Sequence, residues 1–231
     1  NVVTYGQGQD AVTIHHKGAV NARAVLDWVY DKFPQPDTVM VQGCSAGSYG
    51  SIYWTPDVRK HYASSKVVQL GDSGAGVVTP TFFKDSFPQW HATDYAPKWI
   101  PKLDPATVDW QALALPDLYA RVGEAYPDIT LSQFNTMLDK TQTFFFQAMG
   151  GTNAEDWSVG MQKSIAQIHA TTPNFRSFTA PGDQHCILPN SNFKSLESDG
   201  TKFLTWMNDL ASGLPVANVA CKNCGPTPPA E

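Results

Sequence analysis

The run Gly43-Cys44-Ser45-Ala46-Gly47 is the part of the sequence best suited to chemistry. It fits G-x-S-x-G, a pattern that sets a serine on a sharp strand-to-helix turn with its hydroxyl in the open. Small residues two positions to either side let the strand and helix close together, and both are glycine here. Residues 38–42 (TVMVQ) form a β-branched run that reads as the strand, and a helix is expected from Ala46, weakening toward Pro56. A helix start at Ala46 adds an oxyanion donor, the Ala46 amide, beside a nucleophile at Ser45.

A serine nucleophile needs a base and a group that orients the base. In a strand–turn–helix context of this kind the acid and then the histidine follow the serine along the chain. Of the histidines, only His169 and His185 come late enough, and His169 falls in a predicted helix where a solvated or packed role is ordinary. His185 lies in Ala180-Pro181-Gly182-Asp183-Gln184-His185-Cys186, a loop directly after the last predicted strand, where a proton-shuttling imidazole belongs. Three carboxylates compete to orient it: Asp139 after the preceding strand, Asp72 one strand earlier, and Asp183, which is too close in sequence to face His185 easily. A second serine sits in Gly71-Asp72-Ser73-Gly74, the tetrapeptide around the nucleophile of chymotrypsin-like proteases. Those enzymes are all-β and carry His and Asp upstream of the serine, so this turn is expected to be structural, with Asp72 lining the site.

Cys44 precedes the proposed nucleophile and Cys186 follows the proposed base. If Ser45 and His185 touch, their neighbours can meet the roughly 4.4–6.8 Å Cα spacing of a disulfide; two buried free thiols are the alternative. Cys221 and Cys224 form C-x-x-C before a proline-rich tail. They lack the second pair of a zinc ribbon and the helix start of a redox motif, so a small structural disulfide is expected and no metal site. Two bridges imply an oxidising compartment, extracellular or periplasmic.

Positioning these residues requires alternating strands and helices. A helix is predicted over 22–33, strands over 66–70, 129–135 and 174–179, and helices over 140–149, 157–169 and 201–210, the last ended by Gly213. Such alternation predicts an α/β fold: a mostly parallel sheet with helices on both faces and the chemistry at the strand C-terminal ends. Residues 80–128 break the pattern with prolines and aromatic residues. They read as a cap or lid insertion, with Trp90 and Trp99 as substrate-lining candidates, or as a second small core. Residues 225–231 read as an extended tail, and 1–231 as one domain. The chain has 231 residues, 42% of them hydrophobic, and a formal charge of -5. That composition suits a globular core, and its net negative charge with no Lys/Arg cluster argues against nucleic acid as a partner. No run approaches the roughly 18 apolar residues of a membrane span.

The blocks around Gly43-Cys44-Ser45-Ala46-Gly47, Val68-Gln69-Leu70-Gly71-Asp72-Ser73-Gly74 and Phe134-Asn135-Thr136-Met137-Leu138-Asp139-Lys140-Thr141-Gln142 resemble the pectin acetylesterase, or Notum-like, family of α/β-hydrolases. The resemblance raises Asp139 over Asp72 as the acid and puts His185 at the family's histidine. The Cys-Ser, Asp, His-Cys order is also similar to the tannase and feruloyl esterase group, in which a disulfide joins the neighbours of nucleophile and base. Both resemblances imply ester hydrolysis without a cofactor and differ in the ester: acetylated polysaccharide, fatty acyl, or aryl. The family's strands and Gly-Gly-rich loop, which supply a second oxyanion donor, are not visible ahead of 4–8 and 11–15. That donor is expected from a longer precursor, a second chain, or Gly6, Gly8 or the Gly71 turn. The alternative of another class is a catalytically weak carbohydrate- or acyl-binding protein.

Overall fold

The computed structural model describes residues 2–79, 81–226 and 228. In chain order the elements are β1 (Val2–Tyr5), β2 (Val12–His15), α1 (Gly18–Lys32), β3 (Thr38–Cys44), α2 (Ala46–His61), β4 (Lys66–Asp72), α3 (Phe82–Trp90), α4 (Leu115–Ala125), β5 (Leu131–Thr136), α5 (Lys140–Ala148), α6 (Ala154–Thr171), β6 (Phe175–Ala180), β7 (Glu197–Ser198), β8 (Thr201–Lys202) and α7 (Phe203–Ala211). The chain divides into two units, Asn1–Gln35 with Pro80–Leu113, and Pro36–Thr79 with Ala114–Glu231.

The second unit is built on four parallel strands in the order β3-β4-β5-β6. Alternation along each strand sorts side chains between two faces. On one, Val68, Leu70, Phe134 and Phe178 join Phe203, Trp206 and Leu210 of α7, all buried, with Phe203 packed edge-on to Phe134 and Phe178. Each such side chain contributes about 1.5–3 kcal/mol of burial. The other face is partly polar. Gln69, fully buried, donates to Ser51 Oγ at 2.8 Å and to Tyr119 Oη at 3.2 Å, while its Oε1 accepts the Ser132 amide at 3.0 Å. The β4–β5 ladder is interrupted there, and the Gln69 side chain supplies an acceptor for the backbone group. A stretch including Val219 runs alongside β6, its amide donating to Ser177 O at 2.8 Å.

Two elements depart from the sequence reading. Helix α2 does not weaken at Pro56 but runs on to His61, because Ile52, Thr55, Pro56 and Val58 are all buried and packing outweighs the lost amide donor. The last helix starts at Phe203 rather than 201, since Thr201–Lys202 pairs with Glu197–Ser198 around Asp199-Gly200. Both turn residues have positive φ, 46° and 74°, the backbone an Asp-Gly hairpin prefers.

In the first unit β1 and β2 form an antiparallel ribbon, Val2 opposite His15 and Tyr5 opposite Val12. No residue of α1 is buried. Residues 81–113 of the insertion carry a cluster of Phe82, Phe83, Phe87 and Trp90 rings. They also carry a small core of Ile100, Leu103 and Trp110, whose indole donates to Leu103 O at 3.1 Å. Of the expected tail, Pro226 O accepts from Gln162 at 2.7 Å, and residues 227 and 229–231 lie outside the described residues.

Candidate active site

β3 ends at Cys44, α2 begins at Ala46, and Ser45 between them has φ 59° and ψ -120°. A non-glycine residue in that region stores on the order of 1–3 kcal/mol, which the surroundings must over-determine. They do so through the Ser45 amide, bonded to Asp72 O at 2.8 Å, and Ser45 O, which accepts the Ser48 amide at 2.9 Å. Of the two flanking glycines only one is sterically required. A Cβ on Gly43 would lie 2.1 Å from Gly47 O, whereas one on Gly47 would meet nothing within 4 Å. Ala46 is exposed and is the first residue of α2, so its amide has no acceptor within the helix.

His185, expected from its loop, meets Asp139: Nδ1 lies 2.8 Å from Oδ2 and 3.1 Å from Oδ1. Asp139 is fully buried and is the N-cap of α5. Its Oδ1 accepts the Thr141 and Gln142 amides at 3.0 and 2.9 Å, and its Oδ2 accepts from Gln142 Nε2 at 3.0 Å. A carboxylate saturated by donors offers none, so Nδ1 carries the imidazole proton and Nε2 is left as the basic nitrogen. Nε2 is buried and makes no hydrogen bond among the described residues, so it is not yet bonded to Ser45. Such bonds are often long before substrate arrives. The loop itself is held by Leu138 N to Gly182 O and Lys140 N to Asp183 O, both 3.0 Å, and by Thr136 Oγ1 to Gln184 O at 2.7 Å. Asp183 is exposed and pairs with Lys140 instead of His185.

Cys44 and Cys186 form the expected disulfide, with Cα atoms 5.6 Å apart, and Cys221 and Cys224 form the second. A ring nitrogen of His185 lies within 4.8 Å of the Cys44 and Cys186 sulfurs. Joined to each other, those sulfurs are not thiolates and do not make a metal site with the imidazole. The bridge fastens the loop of His185 to the last residue of β3, just before Ser45.

Two expectations are corrected, those for Asp72 and for Gly71. Asp72 does not line an open site. It is fully buried, and its carboxylate accepts the Ile187 and Leu188 amides, each at 3.0 Å. Burial pushes its pKa up, opposed by those amides, the Ser73 hydroxyl and His185. Gly71 is no oxyanion donor in a turn: it is buried within β4, where a Cβ would lie 2.4 Å from Ser48 Oγ. Gly6 and Gly8, with φ of 79° and 63°, belong to the first unit, as do Trp90 and Trp99, about two-fifths exposed. His169 is packed, its Nε2 2.9 Å from Ser177 Oγ. Two residues escaped the sequence reading. Gln142 ties Asp139 to the turn after β4, since its Oε1 accepts the Ala75 amide at 2.9 Å. Asp139-Lys140-Thr141-Gln142 is close to a helix capping-box pattern, which was the available signal. Tyr49, one turn along α2 from Ser45, accepts the Gly76 amide at 3.2 Å. Its pKa is raised by burial and, with the Gly76 bond opposing, by the charge of Asp139.

Residues 4–94 match the pectinacetylesterase family. No curated protein matches the chain. Among solved structures, the Wnt deacylase Notum from Drosophila is similar at 15% identity and a TM-score of 0.63 over 97% of this chain and 69% of that one. A second crystal form gives 16% identity and the same TM-score over 91% of this chain and 65% of that one. The family match falls on the segment that contains the elbow, and the likeness to Notum over almost the whole chain shows an α/β-hydrolase fold.

Proposed function

We propose that the chain hydrolyses carboxylic esters through an acyl-enzyme on Ser45. His185 Nε2 takes the Ser45 proton as Oγ attacks the ester carbonyl, and the Ala46 amide binds the oxyanion of the tetrahedral intermediate. The proton passes to the leaving alcohol, the acyl group remains on Ser45, and a water activated by His185 releases it as the acid. Asp139 holds the imidazole and stabilises its protonated form. The observation that carries this reading is the His185 ring, bonded to Asp139 at Nδ1 and unbonded at buried Nε2, on a loop bridged to the residue before Ser45.

The substrate we favour is an acetylated cell-wall polysaccharide, supported by the pectinacetylesterase match over 4–94. The two disulfides support an extracellular or periplasmic setting. Incubation of the folded protein with an organophosphonate is expected to place one adduct on Ser45, read by peptide mass. No adduct would sink the esterase reading and leave a binding protein. Among p-nitrophenyl acetate, a longer acyl ester and a feruloyl ester, acetate is expected to turn over fastest; a preference for the feruloyl ester overturns the polysaccharide assignment.

A further inference from the structure

The turn Gly71-Asp72-Ser73-Gly74 takes no part in the proposed chemistry, yet it touches both halves of it. Asp72 lies opposite Cys44 in the β3–β4 register, and its carbonyl accepts the Ser45 amide at 2.8 Å. Its side chain turns the other way along the site. Oδ1 accepts the Ile187 amide and Oδ2 the Leu188 amide, while Ser73 Oγ accepts the Cys186 amide at 3.0 Å and lies 3.3 Å from Asp72 Oδ1. Three successive amides after His185 therefore end on one dipeptide. Asp72 is fully buried, and no Lys or Arg pairs with it among the described residues. Burying a carboxyl group is costly unless its oxygens are hydrogen-bonded, and here backbone amides meet that need.

We propose that Asp72 is a positioning residue of the hydrolase site, setting the spacing of Ser45 and His185 through its carbonyl on one and its carboxylate on the backbone that follows the other. The inference rests on Ser45 and His185 being nucleophile and base. The Cys44–Cys186 bridge joins the same two segments, but a bridge between two side chains limits a distance and leaves rotation about its single bonds. Three aimed amides fix the direction in which the loop leaves His185, and with it the plane of the ring. Misplacement by about 1 Å costs on the order of a hundredfold in rate.

Asp72→Asn keeps the shape and one acceptor oxygen but turns an NH₂ toward one of the two amides; Asp72→Ala removes both acceptors. The readouts are kcat and KM on p-nitrophenyl acetate per organophosphonate-titrated Ser45, the melting temperature, and the proton NMR resonance of the His185 Nδ1 hydrogen. Per titrated site, kcat is expected to fall about 10- to 100-fold in Asp72→Asn and further in Asp72→Ala, with KM within about threefold and the Nδ1 resonance moved. A lower melting temperature with unchanged kcat per site and an unmoved resonance overturns the proposal and leaves Asp72 a purely structural residue. Ser73→Ala, which removes only the Cys186 acceptor, gives the same readouts with a smaller, several-fold fall in kcat if the Asp72 variants do not fold; unchanged kcat there overturns the proposal as well. A wild-type protein that never labels sinks the esterase reading instead, and the Nδ1 resonance then decides the positioning role alone.

Discussion

Two neighbouring turns of this protein look alike in sequence and in backbone and hold their serines differently. Gly43-Cys44-Ser45-Ala46-Gly47 and Gly71-Asp72-Ser73-Gly74 end adjacent parallel strands, and their serines have φ of 59° and 60°. Ser45 is half-buried at the start of a 16-residue helix, with an open amide beside it. Ser73 is 1% exposed, and its hydroxyl is committed to Cys186 N and Asp72. Backbone strain therefore does not by itself single out Ser45, the proposed nucleophile, from Ser73. What separates them is whether the hydroxyl is free to react or already satisfied, and that follows from what the next segment does: α2 leads away from Ser45, while the loop after His185 closes over Ser73.

The sharpest way to break this contrast is to replace each serine by glycine, which relieves the same backbone. Ser45→Gly is expected to lower kcat/KM at least about a thousandfold on p-nitrophenyl acetate while leaving stability unchanged or up to about 1 kcal/mol higher. Denaturant titration of Ser73→Gly should show the opposite sign, a loss of about 1–3 kcal/mol, because a buried amide loses its acceptor. Equal stability changes would mean that the two turns do not differ in the way described. Cys186 is held by both turns, covalently through Cys44 and by a hydrogen bond through Ser73. Removing the bridge with Cys44→Ala and Cys186→Ala, which opens a loop of sequence separation 142, should cost about 2–5 kcal/mol. A loss smaller than that of Ser73→Gly would show the hydrogen bond to be the stronger fastening.

Away from both turns the expected effect is small and depends on pH. Burial first, then Arg176, lowers the pKa of His169 from its usual value. The unfolded chain then binds the His169 proton more readily than the folded one. The stabilisation is complete above the unfolded pKa of about 6.5 and is lost as pH falls through the folded value. Between about pH 7.5 and about pH 5, the melting temperature of the wild type should fall more than that of His169→Gln; parallel curves would remove His169 as a contributor.

Much of the frame was legible because it rests on local rules. A β-branched run, two glycines and a helix start announced the elbow, and β-branched and apolar runs announced β3, β4, β5 and β6. The adjacency of Cys44 to Ser45 and of Cys186 to His185 was enough to anticipate a bridge that the structure contains. Local rules failed where packing or a turn outvoted them. Pro56 sits inside a helix because its neighbours are buried, and Thr201-Lys202 left the last helix because Asp199-Gly200 favours a hairpin.

The sequence by itself determined that a serine would stand on a strained strand-to-helix turn and that a histidine would follow the last sheet strand, since both depend on residues within a few positions. Only the tertiary structure decided which carboxylate faces the imidazole. Asp139 just after β5 and Asp72 at the end of β4 are both fully buried, but one caps α5 with an oxygen turned to His185 and the other turns both oxygens to the backbone beyond it. That choice is made by a loop more than a hundred residues downstream of Asp72, whose amides need acceptors once they are buried, and no local pattern around Asp72 records it.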